Sequence, residues 1–371
     1  MKVALVIYST RPRGGVVHTL HLAEALSRLD PAVDVTVVSL GRHGDNAFFR
    51  TVDPAVEVEL VPFPDRPDES VGARILRSIE ALAAGVNWRR FDLIHAQDCI
   101  SANAAPRCLR TVHHVDHFTT PELAACHERA IVEPIAHVCV STAVATELAD
   151  GWGIEAIVIP NGVAYERFAA AAADNSDAAA TRRRWRGQIG APYVLAVGGI
   201  EPRKGTLDLV EAFAAARQSL PDHRLVVAGG ETLFDYRPYR DEVDRRSAEL
   251  EVAPLVLGPV ADDELPALVA AADALAMTST KEGFGLAAME ALAAGVPVVL
   301  SDLPVFHDVF AGAAVFPTSG GRPSDRLAAA LVEAVTVPDE GRTERGQASA
   351  ARHTWHAAAD AHVGLYAQLS R

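Results

Sequence analysis

Residues 192–199, P-Y-V-L-A-V-G-G, and 224–230, R-L-V-V-A-G-G, are short apolar, β-branched runs that end in paired glycines, with an alanine- and leucine-rich helical stretch between them. A strand, a helical crossover and a second strand of this kind make a parallel pair. Strands that are apolar on both faces need helices on both sides of their sheet. Downstream the same alternation predicts strands at 254–260, 273–279, 296–302 and 313–317. Upstream it predicts seven more, at 2–8, 33–40, 56–63, 91–96, 108–114, 137–141 and 156–160. The fold class is therefore α/β, with two doubly wound, Rossmann-like domains expected to face each other across a deep cleft.

A length of 371 residues fits two domains. Residues 169–188 interrupt the alternation with small and polar side chains, so the domains are expected at 1–180 and 190–354. A net charge of −14 gives no general field for nucleic acid or an anionic membrane, and leaves room only for a local basic pocket. The four cysteines show no C-x-x-C spacing, which excludes a zinc ribbon or thioredoxin-like site and fits a reducing compartment. No apolar stretch approaches membrane-spanning length, and residues 2–8 are too short for a signal-peptide core, so the expected location is cytoplasmic.

In doubly wound sheets ligands bind beyond the carboxyl ends of the strands, so chemistry belongs in the loops there. After the first strand, Gly14 and Gly15 precede a helical run from Val16 to Leu29, where bare backbone and unpaired amides suit a phosphate. After the first strand of the second half, Arg203 and Lys204 in V-G-G-I-E-P-R-K-G are placed to neutralise a diphosphate. Residues 282–290, E-G-F-G-L-A-A-M-E, put the amides of Phe284, Gly285 and Leu286 at a helix start. A diphosphate would repel Glu282 and Glu290, so each faces hydroxyls instead: the sugar for Glu282, the ribose for Glu290. The glycines at 283 and 285 are read as a flexible loop.

Each motif has a plainer reading. Paired glycines also make ordinary strand-to-helix turns, basic turns are commonly solvated, and a glutamate in the first half of a helix is favoured by the dipole. Gly283, Gly285 and Ala288, followed by Asp302, also fit the dinucleotide fingerprint. That reading puts Glu282 beside a pyrophosphate and leaves Arg203 and Lys204 unexplained. His113, His114, Asp116 and His117 end a strand of the first half, where one imidazole at a cleft could exchange a proton. No partner ligands at helical spacing accompany them, which argues against zinc. Asn161 and Gly162 read as a tight turn, and Cys99 as a buried small residue. Arg182, Arg183, Arg184 and Arg186 around Trp185 read as a solvated helix face, with weak peripheral membrane contact as the other reading.

Taken together, G-G at 14–15, V-H at 112–113, V-S at 140–141, I-P-N-G-V at 159–163, V-G-G-I-E-P-R-K-G at 197–205, E-G-F-G-L-A-A-M-E-A at 282–291 and G-V-P-V-V at 295–299 resemble the GT-B-fold retaining glycosyltransferases of family 4. The resemblance runs end to end. It implies that Arg203 and Lys204 hold the donor diphosphate, that Glu282 meets the transferred sugar and Glu290 the ribose. It also implies that Gly14 and Gly15 approach the donor phosphates, that His113 is the active-site histidine, and that a final helix within 355–371 packs back on the first domain. The chain departs from the family at Ala164, where aspartate is frequent, and at Gly199, where arginine is frequent.

The activity implied is transfer of a sugar, with retention, from a nucleoside-diphosphate sugar to a small-molecule, glycan or lipid acceptor. No cofactor or metal is expected, and no nucleic-acid partner. A sugar-nucleotide epimerase, an NAD-dependent oxidoreductase and a non-catalytic nucleotide-sugar sensor are the alternatives.

Overall fold

The computed structural model describes residues 1–42, 44–115, 120–229 and 236–370. The chain divides into two compact units, Met1–Gly162 with Trp355–Arg371, and Val163–Thr354.

The first unit holds β1 (Lys2–Val6), β2 (Asp34–Arg42), β3 (Glu57–Phe63), β4 (Leu93–Ala96), β5 (Leu109–Val112), β6 (Ala136–Cys139) and β7 (Ile157–Val158). They pair in parallel in the order β3-β2-β1-β4-β5-β6-β7. Its first five helices are α1 (Gly14–Ser27), α2 (Val71–Gly85), α3 (Cys99–Ala104), α4 (Pro121–Val132) and α5 (Thr142–Trp152). The central strands β4 and β5 are buried along their whole length, as a sheet covered on both faces requires. The strand order reverses direction between β1 and β4, which makes the loops after these strands the expected ligand crevice.

The second unit opens with α6 (Tyr165–Ala172) and α7 (Ser176–Ile189). Its five strands are β8 (Tyr193–Val197), β9 (Arg224–Ala228), β10 (Leu255–Gly258), β11 (Ala274–Met277) and β12 (Val298–Leu300), parallel in the order β10-β9-β8-β11-β12. The helices between and after them are α8 (Thr206–Ala216), α9 (Arg237–Glu249), α10 (Leu265–Ala270), α11 (Leu286–Ala293), α12 (Pro304–Phe310), α13 (Pro323–Thr336) and α14 (Glu340–Arg352). Val194, Leu209, Val210, Phe213, Leu225 and Leu331 form the centre of one apolar core between the sheet and its helices. Here the reversal falls between β8 and β11.

Two expectations are corrected. Residues 313–317 form no strand, because Val315 makes a single bridge to Val299 before the chain turns away. The domain boundary lies at Gly162/Val163 rather than between 180 and 190. The polar break at Asn175 is a helix cap, its Oδ1 accepting from the Ala178 amide at 3.0 Å, and the alanines on either side are helical. The arginine run braces the second unit: Arg184 and Trp185 bond to Glu264, and Arg186 donates to Asp273 at 2.8 Å. Arg182 donates to the carbonyls of Ala171 and Ala173.

The last helix, α15 (Trp355–Leu369), packs on α1 in the first unit. Its Tyr366 is fully buried, and the hydroxyl bonds to His95 Nδ1 at 2.8 Å, while His95 Nε2 meets Thr111 Oγ1 at 2.7 Å. Both nitrogens of a wholly buried imidazole are thus satisfied, one of them by the returning helix. Tyr366→Phe leaves that nitrogen without a partner, and should lower stability by about 1–3 kcal/mol in urea unfolding of the whole chain.

Candidate active site

In the second unit the loop after β8 and the loop after β11 meet at the switch point. Gly205 adopts φ +62°, and a Cβ there would lie 2.1 Å from the Thr278 carbonyl oxygen, so only glycine permits the approach. Thr278 Oγ1 donates to the carbonyls of Lys204 (3.1 Å) and Gly205 (3.0 Å), and the Thr280 amide donates to the Arg203 carbonyl at 2.8 Å. These backbone bonds bring Arg203 and Lys204 onto Glu282. Lys204 Nζ reaches Glu282 Oε2 at 2.8 Å, Arg203 reaches the same oxygen at 3.3 Å, and Ser279 Oγ donates to it at 3.2 Å. The other arm of Arg203 is held at 2.9 Å by Glu201, which is buried.

The sequence reading separated a sugar-facing Glu282 from phosphate-facing cations; the structure has the carboxylate on the cations, as their counter-ion. Glu201 carried no signal of its own beyond standing two residues before Arg203. A small cavity lined by Gly198, Gly199, Lys204, Thr278 and Ser279 opens beside this cluster. A larger one, lined by Pro297, Ala334, Val337 and Arg342, lies at the amino ends of β11 and β12, away from these groups.

The loop at 283–285 is packed rather than open. Gly283, Phe284 and Gly285 are buried, and Gly285 has φ +96° with the rings of Phe306 and Phe310 3.0–3.1 Å from where a Cβ would stand. Phe284 packs its ring on His353 and leaves only its backbone for a ligand. The helix α11 starts at Leu286, so its first-turn amides have no intrahelical acceptors. Glu290 sits on the same helix. Enclosure of its carboxyl raises its pKa to about 8, with Arg167 pulling the other way and Asp262 adding to the rise. The dinucleotide reading gains nothing here, because Asp302 is exposed and bonded to His307 at 2.6 Å.

In the first unit Gly14 and Gly15 form the first turn of α1 rather than a loop before it, with the Val17 amide bonded to the Arg13 carbonyl at 2.9 Å. A Cβ on Gly14 would meet nothing within 4 Å, and one on Gly15 would touch His113 and Ile7 at an ordinary 3.7 Å. Neither glycine is therefore demanded by the protein's own packing. His113 follows β5 and lies edge-on to His18 of α1, ring centroids 4.8 Å apart. His18 is buried, its Nδ1 bonds to Asn161 Oδ1 at 2.8 Å, and its ring packs against Trp355 of α15. Burial first, and the neighbouring His113 next, hold the His18 imidazole well below its usual pKa.

Asn161 is therefore more than a turn residue, and Gly162 lets the chain pass beneath Trp355, whose backbone nitrogen would be 2.4 Å from a Cβ. The sequence reading missed His18, which sits four residues after Gly14 in the run from Val16 to Leu29 that was read as helix. His114 follows His113 and is half-buried, while Asp116 and His117 lie outside the described residues. Cys99 is half-buried, and Cys108, Cys126 and Cys139 are buried free thiols. Among the described residues no group of three or more His, Cys, Asp or Glu is placed to hold a metal, and no helix is long and apolar enough to cross a membrane.

Two family models match the chain and together span most of it: Glycosyltransferase Family 4 over residues 12–167, and Glycosyl transferases group 1 over residues 179–335. The chain belongs to the family 4 glycosyltransferases. It is similar to a phosphatidyl-myo-inositol mannosyltransferase from Propionibacterium freudenreichii, 29% identical over 293 residues, covering 74% of this chain and 70% of the relative. Among solved structures, sucrose-phosphate synthase from Thermosynechococcus elongatus superposes with a TM-score of 0.78 at 19% identity, covering 99% of this chain and 98% of its own. Anabaena HepE in complex with UDP-glucose gives 0.74 at 20% identity, covering 99% and 100%. At such identities the structures speak to the fold, which is GT-B.

Two substitutions test this glycosyltransferase's second-unit geometry. Gly205→Ala combines positive φ with a clash on Thr278, and should cost about 1–3 kcal/mol of stability by denaturant unfolding. Glu290 carries a folded pKa above its unfolded one, so the native state holds the extra proton. Its stability penalty is absent below pH 4.5, grows between pH 4.5 and 8, and is complete above pH 8. Glu290→Gln should therefore melt with wild type near pH 4.5 and several degrees above it at pH 9, by differential scanning fluorimetry.

Proposed function

We propose that this glycosyltransferase moves a hexose, with retention of configuration, from a nucleoside-diphosphate sugar, without a resident metal. The observation that carries the reading is the shared bonding of Arg203 and Lys204 to one oxygen of Glu282 at the switch point of the second sheet. Two cations balanced by Glu282 and Glu201 make a cluster that is neutral while empty and can rearrange around a diphosphate. The donor phosphates replace Glu282 on the cations, Arg203 by planar bidentate bonds and Lys204 as a point charge, and the amides of Phe284, Gly285 and Leu286, which lead into α11, add donors. Glu282 is then released to accept from hydroxyls of the transferred sugar. The names of the relatives support this donor class: a mannosyltransferase, and a structure holding UDP-glucose.

Glu290, protonated near neutral pH, both donates and accepts, which suits the two hydroxyls of a ribose. In the first unit the bare first turn of α1 at Gly14 and Gly15 suits phosphate oxygens, since neither residue is a glycine for internal reasons. His113 is assigned to the sugar, its ring held edge-on by His18. The chemical step is departure of the nucleoside diphosphate with oxocarbenium character and attack of the acceptor on the same face, the departing phosphate taking the acceptor's proton. Preorganised cations and amides stabilise the leaving charge.

Calorimetric titration with UDP, GDP, ADP and NAD tests the donor class. One nucleoside diphosphate should bind, at least tenfold more weakly to Arg203→Ala, and binding of NAD alone would overturn the reading. Hydrolysis of the matching sugar nucleotide should persist in EDTA and fall by about two orders of magnitude in Glu282→Ala.

A further inference from the structure

His113 is held against one face of α1. Its Cδ2 and Nε2 lie 3.7 Å from where a Cβ on Gly15 would stand, and one turn along the helix His18 meets the same ring, with centroids 4.8 Å and planes 79° apart. Thr19 Oγ1 donates to the Gly15 carbonyl at 2.7 Å and ties that turn together. His18 is itself fixed on its other sides. It is 1% exposed, its ring lies edge-on to Trp355 at 5.4 Å, and Trp355 is stacked in turn on His21.

The bond to Asn161 decides where the His18 proton sits. Asn161 Oδ1 is an acceptor, so at 2.8 Å from Nδ1 it takes the proton-bearing nitrogen and leaves the lone pair on Nε2. That Nε2 is buried and has no hydrogen-bond partner among the described residues. A buried acceptor left unsatisfied carries its full desolvation penalty, so the lone pair needs a use. Carrying charge is not that use. The titratable groups acting on His18 are the imidazoles of His113, His362 and His95, with no carboxylate to hold a cation, and burial keeps the ring neutral. His362 shows the contrast: its Nε2 is also buried without a partner, but its ring neighbours, His95 and Tyr366, are bonded to each other. His18 instead faces an imidazole just beyond the carboxyl end of β5, where ligands of such sheets bind.

We propose that His18 is the positioning residue of His113: its Nε2 lone pair accepts from the His113 ring, fixing the His113 proton on that side and leaving the other ring nitrogen as acceptor for a sugar hydroxyl. The inference rests on the assignment of His113 to the sugar made above. In an imidazole the bond made by one nitrogen sets the state of the other, so a ring that stays neutral dictates the tautomer of the ring that meets the substrate. The order starts at Asn161, three residues after β7, and passes through both nitrogens of His18 to His113. The rings are already in contact, and the bond forms by a turn of the His113 ring.

The test is hydrolysis of the matching sugar nucleotide by His18→Phe, which fills the site without a lone pair, and by His18→Gln, which restores an acceptor. His18→Phe should lower kcat about tenfold or more with KM and nucleoside-diphosphate binding unchanged, and His18→Gln should recover most of the loss. His113→Ala should be slow by itself, and the double variant no slower, since His18 acts only through His113. Long-range proton–nitrogen NMR of histidine-labelled protein with nucleoside diphosphate bound should show His18 in the Nδ1–H form and a changed His113 tautomer in His18→Phe. If His18→Phe does not fold, Asn161→Ala decides by the same readouts, because it frees the His18 proton. If hydrolysis is too slow to follow, the spectra decide alone. Equal losses in the Phe and Gln variants, a double variant slower than His113→Ala, full kcat in His18→Phe, or an unchanged His113 tautomer would overturn the proposal. Normal turnover in His113→Ala would instead strike the His113 assignment, and this inference with it.

Discussion

The approach of Gly205 to the Thr278 carbonyl sets the chemistry of the second unit. With no side chain at 205, the turn after β8 rests on the end of β11, and the carbonyls of Arg203, Lys204 and Gly205 are taken up by Thr278 and Thr280. Arg203 and Lys204 are then fixed by backbone rather than by their own flexible stems. Holding two cations on one carboxylate through rigid loops removes much of the entropy cost that makes exposed ion pairs weak. The same loops place Glu282 immediately before the buried turn that starts α11, so cations, carboxylate and helix amides share one foundation.

Most of the fold was legible because parallel strands covered on both faces leave an unmistakable apolar signature, and eleven of the predicted strands together with 156–160 have counterparts in the two sheets. The failures have local causes. Residues 313–317 are as apolar as a strand, but only Val315 meets the edge, and edge pairing is decided by the path of the chain. Asn175, Ser176 and Asp177 carry the composition of a loop and also that of a helix start, and composition alone does not separate them.

At the site, residue types were readable but partners were not. Arg203, Lys204 and Glu282 announce an anion and its counter-charge, yet their mutual bonding depends on two loops 78 residues apart. His18 and Asn161 are 143 residues apart, and nothing in either neighbourhood points to the other. Arg42 lies beyond the strand expected at 33–40, and its burial went unread, because burial of a charged side chain is a property of the packed sheet and not of the sequence around it. Buried polar groups need partners, so such pairs surface only when three-dimensional accounting is complete.

The return of α15 to the first unit has a consequence for how the protein is made. The second unit, Val163–Thr354, is continuous in sequence, whereas the first lacks its Trp355 cover and the Tyr366 partner of His95 until residues 355–370 have been synthesised. Domains tend to fold as units during synthesis. On the ribosome, then, the earlier-made half waits with an unfilled seat in its core while the later half, which needs nothing from it in sequence, completes its own sheet; order of translation and order of completion are reversed.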